Sequence, residues 1–415
     1  MISESDIVVV GSGALGSSVA FHLAREHKGS VALLDKADLA SQTSPRAAGL
    51  TSQVRRSDLM TRLAMMAVRK IETFARDTGE RLVYHQSGAL KIARTAEHEA
   101  QLAAEVARGR AVGVELDFVS PSEAKRRMPF LETTGIRAVT YSPTDLYLDP
   151  AQIPVGYARA AECLGATMLP HTMVRAIEVK NGAVDRVVTD KGAIRCSVVV
   201  DAAGAWARQV AALSGAHAPM VPTRHQLLIT EPIAGVEPTQ SITRIIDANV
   251  YVRPDHGGLM LGGYEERPLQ YSMSALTSSF DIKDMPLDLE ILRALAGRVR
   301  EQLPIFAKLG GDIRVREHRG GLPTMTADGE HSVGPVPEAR GLFVAGGCCV
   351  GGLSIAPAVG EVLAQWILTG EAPMDLSSMA PGRAGAARRD EAELQEACRL
   401  QYAHHYWETP HAPPG

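Results

Sequence analysis

Cysteine is scarce in this chain of 415 residues: Cys163, Cys196, Cys348, Cys349 and Cys398 make an odd set of five with no metal-ligand spacing. That excludes a disulfide framework, gives no reason to expect a zinc or other metal site, and fits a reducing compartment. Charge of one sign is also missing. Against 43 Lys and Arg stand 47 Asp and Glu, a formal net charge of −4 with both signs mixed throughout. No basic face is left for nucleic acid, and no polybasic segment for an anionic membrane. No cationic stretch leads into an apolar one before the first glycine turn, so a cleaved signal peptide is not expected and a cytoplasmic location is. The long uncharged run, residues 341–360, carries paired glycines and Pro357, which fit a strand, a loop and a helix start better than a membrane span.

What is present is ample apolar material. Hydrophobic residues make up 45% and charged residues 22%, with mean hydropathy near zero, enough for a large core split over about two or three domains. "IVVVGSGALGSSVAFHLA" begins at Ile7 as a β-branched run, then a turn with three glycines, then apolar residues at helical spacing. In this strand, turn and helix, Gly11 allows the tight turn, Gly13 lets a pyrophosphate approach the backbone, and Gly16 lets the helix pack against the strand. The phosphates would rest on free N–H groups at the helix start, beside Ala14. A second strand, "SVALLDK", ends at Asp35 and Lys36, about 20 residues downstream, where an acidic side chain binds ribose hydroxyls. A glycine-rich turn with no nucleotide is the alternative for the triad alone; both strands and the terminal acid favour a dinucleotide.

Two further strand ends carry glycines: "CSVVVDAAGAWA" (196–207), with Ala203, Gly204 and Trp206, and "GLFVAGGCCVGGLSIAPAVGE" (341–361). An NAD domain usually completes its site within one contiguous half of the chain. Pieces near residues 11, 204 and 350 imply instead a nucleotide domain interrupted by insertions.

These motifs resemble the FAD-dependent amino-acid oxidoreductases of the D-amino-acid oxidase type, within them the sarcosine and dimethylglycine dehydrogenases and oxidases. The branch-specific stretches are "SPRAAGL" (44–50), "RHQLLITEPI" (224–233), "NVYVRP" (249–254) and "GGYEERPLQ" (262–270). The resemblance implies bound FAD, with Ser44, Arg46, Ala47, Gly49, Leu50 and Val174 among its contacts, and Gly347, Gly351, Gly352, Leu353 and Ser354 after the third strand. It implies oxidation of a secondary or tertiary amine next to a carboxylate, giving an imine that water hydrolyses. Arg46 stands where dehydrogenases of this branch carry a flavin-linked histidine. Gly321 stands where monomeric sarcosine oxidases carry a flavin-linked cysteine. FAD is therefore expected to be non-covalent, and Cys348 and Cys349 read as small buried residues.

Such chemistry asks for a way to deprotonate the amine, a cation for the carboxylate and a donor for charge on the reduced flavin. His225 and Tyr251 are the catalytic candidates that the resemblance implies; their alternatives are a structural histidine and an interior strand aromatic. The basic residues that relatives place after the glycine pair or in "GGLPTMTADG" are replaced by Ser354 and Pro323. Arg55, Arg56, Arg253 and Arg319 remain as candidate anchors.

The expected fold is α/β: a discontinuous Rossmann-like FAD-binding domain (1–80, 150–220 and 335–378), a substrate domain on a mixed or antiparallel sheet (81–149 and 221–334), and a C-terminal helical tail (379–415). The tail could cover the pocket, dock on a second subunit as part of an oligomer, or cap the fold. No folate-binding domain is expected after the flavin half, so an aldehyde product would be released free. Oxygen, a quinone or an electron-transfer flavoprotein could accept the electrons. Competing readings are a flavin subunit of a hetero-oligomeric oxidoreductase, a D-amino acid or glycine oxidase, and an NAD(P)-linked dehydrogenase.

Overall fold

The computed structural model of the protein describes residues 2–386 and 389–407. Strand Ile7–Val10, buried along its whole length, pairs in parallel with Val31–Leu34 on one side and Val198–Asp201 on the other. Thr167–Leu169 and Leu342–Gly346 extend the parallel sheet, and Ser332–Pro335 closes one edge antiparallel. Continuous β-branched runs suit strands covered on both faces. The glycine turn follows the first strand. Gly11 has φ +99°, and a Cβ on Gly16 would run into the Gly11 carbonyl oxygen, so the helix Ala14–Glu26 starts as close to the strand as backbone permits.

Helix Gly352–Thr369 is long and apolar enough to cross a membrane by length and composition. Here it is a core helix. Its residues from Ser354 to Ala364 are largely buried, and it packs on the helices Ala14–Glu26 and Asp58–Glu72.

The two insertions meet in one eight-stranded mixed sheet, in which Ala89–Ala93 pairs in parallel with Ile242–Ile245 and the other pairings are antiparallel. Period-two alternation decides which side chains face the site. Leu228, Val250, Val252, Leu259 and Leu261 pack under helix Leu289–Val299. Leu227, Ile229, Tyr251 and Met260 face the other way, where Leu394, Cys398 and Tyr402 of the C-terminal helix Glu391–Ala403 meet them. That helix starts with a capping box between Asp390 and Glu393.

Two glycine substitutions separate packing from propensity. A Cβ at Gly360 would run into Ser18 across the core helices, whereas Gly297 is exposed in helix Leu289–Val299 with open space around it. Gly360→Val should cost about 1–3 kcal/mol and lower the urea unfolding midpoint, while Gly297→Ala should raise it slightly, by about 0.5–1 kcal/mol.

Candidate active site

Three cavities run end to end. The first, about 440 Å³, is lined by Gly11, Gly13, Asp35, Lys36, Ser44, Val174, Ala203, Gly204 and Trp206. The helix start at Gly13 has no acidic residue in its first turn, which suits phosphate. Asp35 accepts from the Ser12 backbone N–H (2.8 Å) and hydroxyl (2.6 Å), which fixes the carboxylate beside the turn. Lys36 lies 3.6 Å from the centre of the Trp206 ring and donates to the Phe280 carbonyl (2.7 Å). The indole N–H of Trp206 is buried with no partner among the described residues. A glycine-lined cradle with an unused donor fits an extended nucleotide.

The second cavity, about 160 Å³, shares Gly13, Thr43, Ser44, Ala202 and Gly204 with the first. Ala14, Arg46, Ala47, Gly49, Leu50, Gly352, Leu353 and Ser354 line it, together with His225, Tyr251 and Tyr264. Gly16 and Gly347 serve packing instead: a Cβ on Gly347 would lie 2.6 Å from the Thr326 methyl. Arg46 donates to the carbonyls of Ser41 and Gln42. Cys348 also reaches this cavity, and burial pushes its thiol pKa up, which keeps it protonated and unreactive.

His225 and Tyr251 are in direct contact. The Nε2 of His225 lies 2.9 Å from the Tyr251 hydroxyl, and its Nδ1 lies 2.8 Å from the hydroxyl of Tyr402. Burial lowers the pKa of His225 to about 4, so the ring is neutral at physiological pH. Gly262 makes room for this arrangement, since a Cβ there would strike the Tyr251 phenol.

The third cavity, about 140 Å³, adjoins the second through Leu50, Tyr264, Val350 and Ser354. It is an arginine pocket. Arg55 donates to the Ser354 hydroxyl (2.9 Å), and Arg244 donates to the Thr51 carbonyl (2.6 Å). Arg55 Nε and Arg244 Nη1 are buried without hydrogen-bond partners, as are both ring nitrogens of His331 on the same wall. Burial and the neighbouring Arg244 push the pKa of Arg55 down, the direction expected of two cations sharing a site. The wall also carries the Lys91–Glu105 ion pair and Glu330, whose Oε2 is buried without a hydrogen-bond partner, and the C-terminal segment adds Gln401, His405 and Tyr406, with His405 stacked on Tyr264 at 4.1 Å between ring centres.

The four arginines singled out from sequence fall in different places. Arg55 lines the arginine pocket and donates to Ser354, which the pocket shares with the second cavity. Arg56 touches its rim but is exposed, and it donates to the Gln401 side chain and to the carbonyls of His404 and His405, which secures the tail. Arg253 and Arg319 lie away from the arginine pocket, on a separate cavity. They donate to the Ala48 and Ala47 carbonyls and pair with Asp255 and Glu317, so their charge is spent on backbone and carboxylates. Gly351 lines the arginine pocket rather than the ring cavity.

Arg244, Tyr264, Tyr402, His405 and Tyr406 were not among the sequence candidates. The signal for Arg244 was an arginine inside the apolar strand "ITRI", opposite Tyr251 across the strand pair. Charged residues are seldom buried without a partner or a task. For the tail, the signal was the aromatic cluster "YAHHYW" at the end of an amphipathic helix.

The buried histidines make stability pH-dependent. Burial lowers the pKa values of His225 to about 4 and His331 to about 3, whereas an unfolded histidine titrates near 6.5. Below about 6.5 the unfolded chain therefore binds more protons than the native one, and stability falls as pH drops toward about 4. The melting temperature should be lower at pH 5 than at pH 7.5, and His331→Phe should shrink the difference.

A family model described as "FAD dependent oxidoreductase" (DAO) matches residues 6–366. Mouse mitochondrial sarcosine dehydrogenase is 29% identical over 97% of this chain and 44% of its own length. Human mitochondrial dimethylglycine dehydrogenase is 28% identical over 92% of this chain and 44% of its own length. The chain thus spans less than half the length of these curated relatives. In fold, the L-proline dehydrogenase of P. horikoshii superimposes with a TM-score of 0.82 at 24% identity, covering 92% of this chain and 98% of that one. A glycine turn that opens a parallel sheet, an elongated pair of cavities and a family match across most of the chain agree: this chain belongs to the DAO family of FAD-dependent oxidoreductases.

Proposed function

We propose that the protein oxidises the C–N bond of a small N-substituted amino acid, of the sarcosine, dimethylglycine or iminodiacetate kind, with FAD held non-covalently across the first two cavities. The observation that carries this reading is the pair of guanidinium side chains, Arg55 and Arg244, that line a small pocket adjoining the ring cavity. The cations that line this pocket, Arg55, Arg56, Arg244 and Lys91, outnumber its carboxylates, Glu105 and Glu330, and a planar guanidinium matches a further carboxylate. Sarcosine and dimethylglycine dehydrogenases among the relatives support the amine class.

FAD supplies, when bound, the acceptor for hydride leaving the carbon beside the amine nitrogen. The chain's own groups do the rest. Arg55 and Arg244 orient the substrate through its carboxylate, and the aromatic wall of Tyr264, His405 and Tyr406 excludes water. The amine must reach this site neutral, and burial beside two cations favours loss of its proton. His225, neutral and bonded to Tyr251, contributes as a hydrogen-bonding partner. It is not a strong base. His225→Ala should slow flavin reduction by about 10-fold or more, the loss of one positioning hydrogen bond, while FAD stays bound.

Anaerobic bleaching of the flavin across a panel of N-alkyl amino acids tests the substrate class. Arg55→Ala and Arg244→Ala should each raise the Kd of the acid about 30-fold or more, and change little for the matching amine without a carboxylate. Equal effects on both ligands would remove the carboxylate from the reading.

Non-covalent attachment has its own test. With Arg46 bonded to backbone carbonyls and Gly321 opposite Thr43, acid precipitation should leave all the flavin in the supernatant. Flavin in the pellet would point to Cys348 or His225 as the attachment residue.

A further inference from the structure

We propose that Tyr402, from the C-terminal helix, fixes the tautomer of His225 and thereby turns the hydroxyl proton of Tyr251 toward the ring cavity. Tyr402 lines neither the ring cavity nor the arginine pocket, so it is a positioning residue that acts through the other two. It also lies beyond residue 366, where the family match ends.

The argument is one of counting protons. A neutral imidazole has one donor nitrogen and one acceptor nitrogen, and each of the two phenols bonded to His225 can give or take. Suppose Nδ1 carried the proton. It would donate to the Tyr402 oxygen, and the Tyr402 hydroxyl would then need another acceptor. Among the described residues that hydroxyl bonds to His225 alone, and Tyr402 is 1% exposed. An unpaired O–H would be stranded in the core, at a cost comparable to a lost buried hydrogen bond.

The other arrangement moves the spare proton to the phenol that lines a cavity. Tyr402 donates its proton to Nδ1, Nε2–H donates to the Tyr251 oxygen, and the Tyr251 O–H is left for an acceptor in the cavity that Tyr251 lines. Tyr251 is then committed as a donor toward the bound substrate or cofactor. With the opposite tautomer its proton would be spent on His225, and only its lone pairs would face the cavity.

The rest of the helix is built to hold Tyr402 in register. Asn249 donates to the Ala403 carbonyl (2.9 Å), the Cys398 thiol donates to the Met325 carbonyl (3.3 Å), and Arg56 grips Gln401 and the two carbonyls that follow the helix. Leu394, Cys398 and Tyr402 sit in the same apolar cluster as Tyr251 and Met260.

Nitrogen NMR of the oxidised holoenzyme with ¹⁵N-labelled histidine reads the tautomer directly, with His225 assigned by the signals lost in His225→Ala. The expected result is a protonated Nε2 and a bare Nδ1; a protonated Nδ1 overturns the proposal. The kinetic arm alone rests on the amine-oxidising function proposed above. Tyr402→Phe should lower the limiting rate of flavin reduction about 10-fold or more, and the double variant Tyr251→Phe/Tyr402→Phe should be no slower than Tyr251→Phe. Losses that multiply would show that Tyr402 acts elsewhere and would overturn the proposal. If no amine reduces the flavin, the proposed function falls while the NMR result still decides the tautomer, and it decides likewise if Tyr402→Phe does not fold.

Discussion

Three arginines of the eight-stranded sheet hold one strip of backbone. Arg319 donates to the Ala47 carbonyl, Arg253 to Ala48 and Arg244 to Thr51. This strip runs along the ring cavity and delivers Arg55 to the pocket beyond it. Burying guanidiniums is costly unless their hydrogens are used. Here the carbonyls of Ala47, Ala48 and Thr51 each take one of them, and Asp255 and Glu317 neutralise two of the three arginines. The relative position of nucleotide sheet and substrate sheet, and with it the cavity between them, depends on this clamp.

The same economy explains why the chemistry gathers where it does. Arg253 and Arg319 divide their charge between the clamp and Asp255 and Glu317. Arg244 has no carboxylate within salt-bridge distance among the described residues, and it lines the third cavity together with Arg55. Cross-strand register places Arg244 opposite Tyr251, so the arginine of the third cavity and the Tyr251–His225 contact sit on one strand pair.

Legibility in the sequence followed the range of the interactions. The glycine turn and the second strand's acid are local patterns, and they indicated a dinucleotide domain directly; FAD rather than NAD came from widely separated glycine motifs, in line with the family match. His225 and Tyr251 were reachable only through family resemblance, because the hydrogen bond between them joins strands 26 residues apart. Arg244 was hidden because four buried residues in a row show no periodicity. Tyr402 was hidden because its partner is 177 residues away. Arg253 and Arg319 looked eligible in sequence for the same reason: nothing local says that a carbonyl from residue 47 or 48 will claim an arginine.

Gln401, His405 and Tyr406 wall the third cavity from one short stretch of chain, and Tyr402 in the same stretch bonds to His225 on the second. The two cavities are therefore mechanically coupled. A substitution in residues 401–406 that reshapes the pocket wall also moves the support of the His225–Tyr251 pair, so the two cavities can change only together.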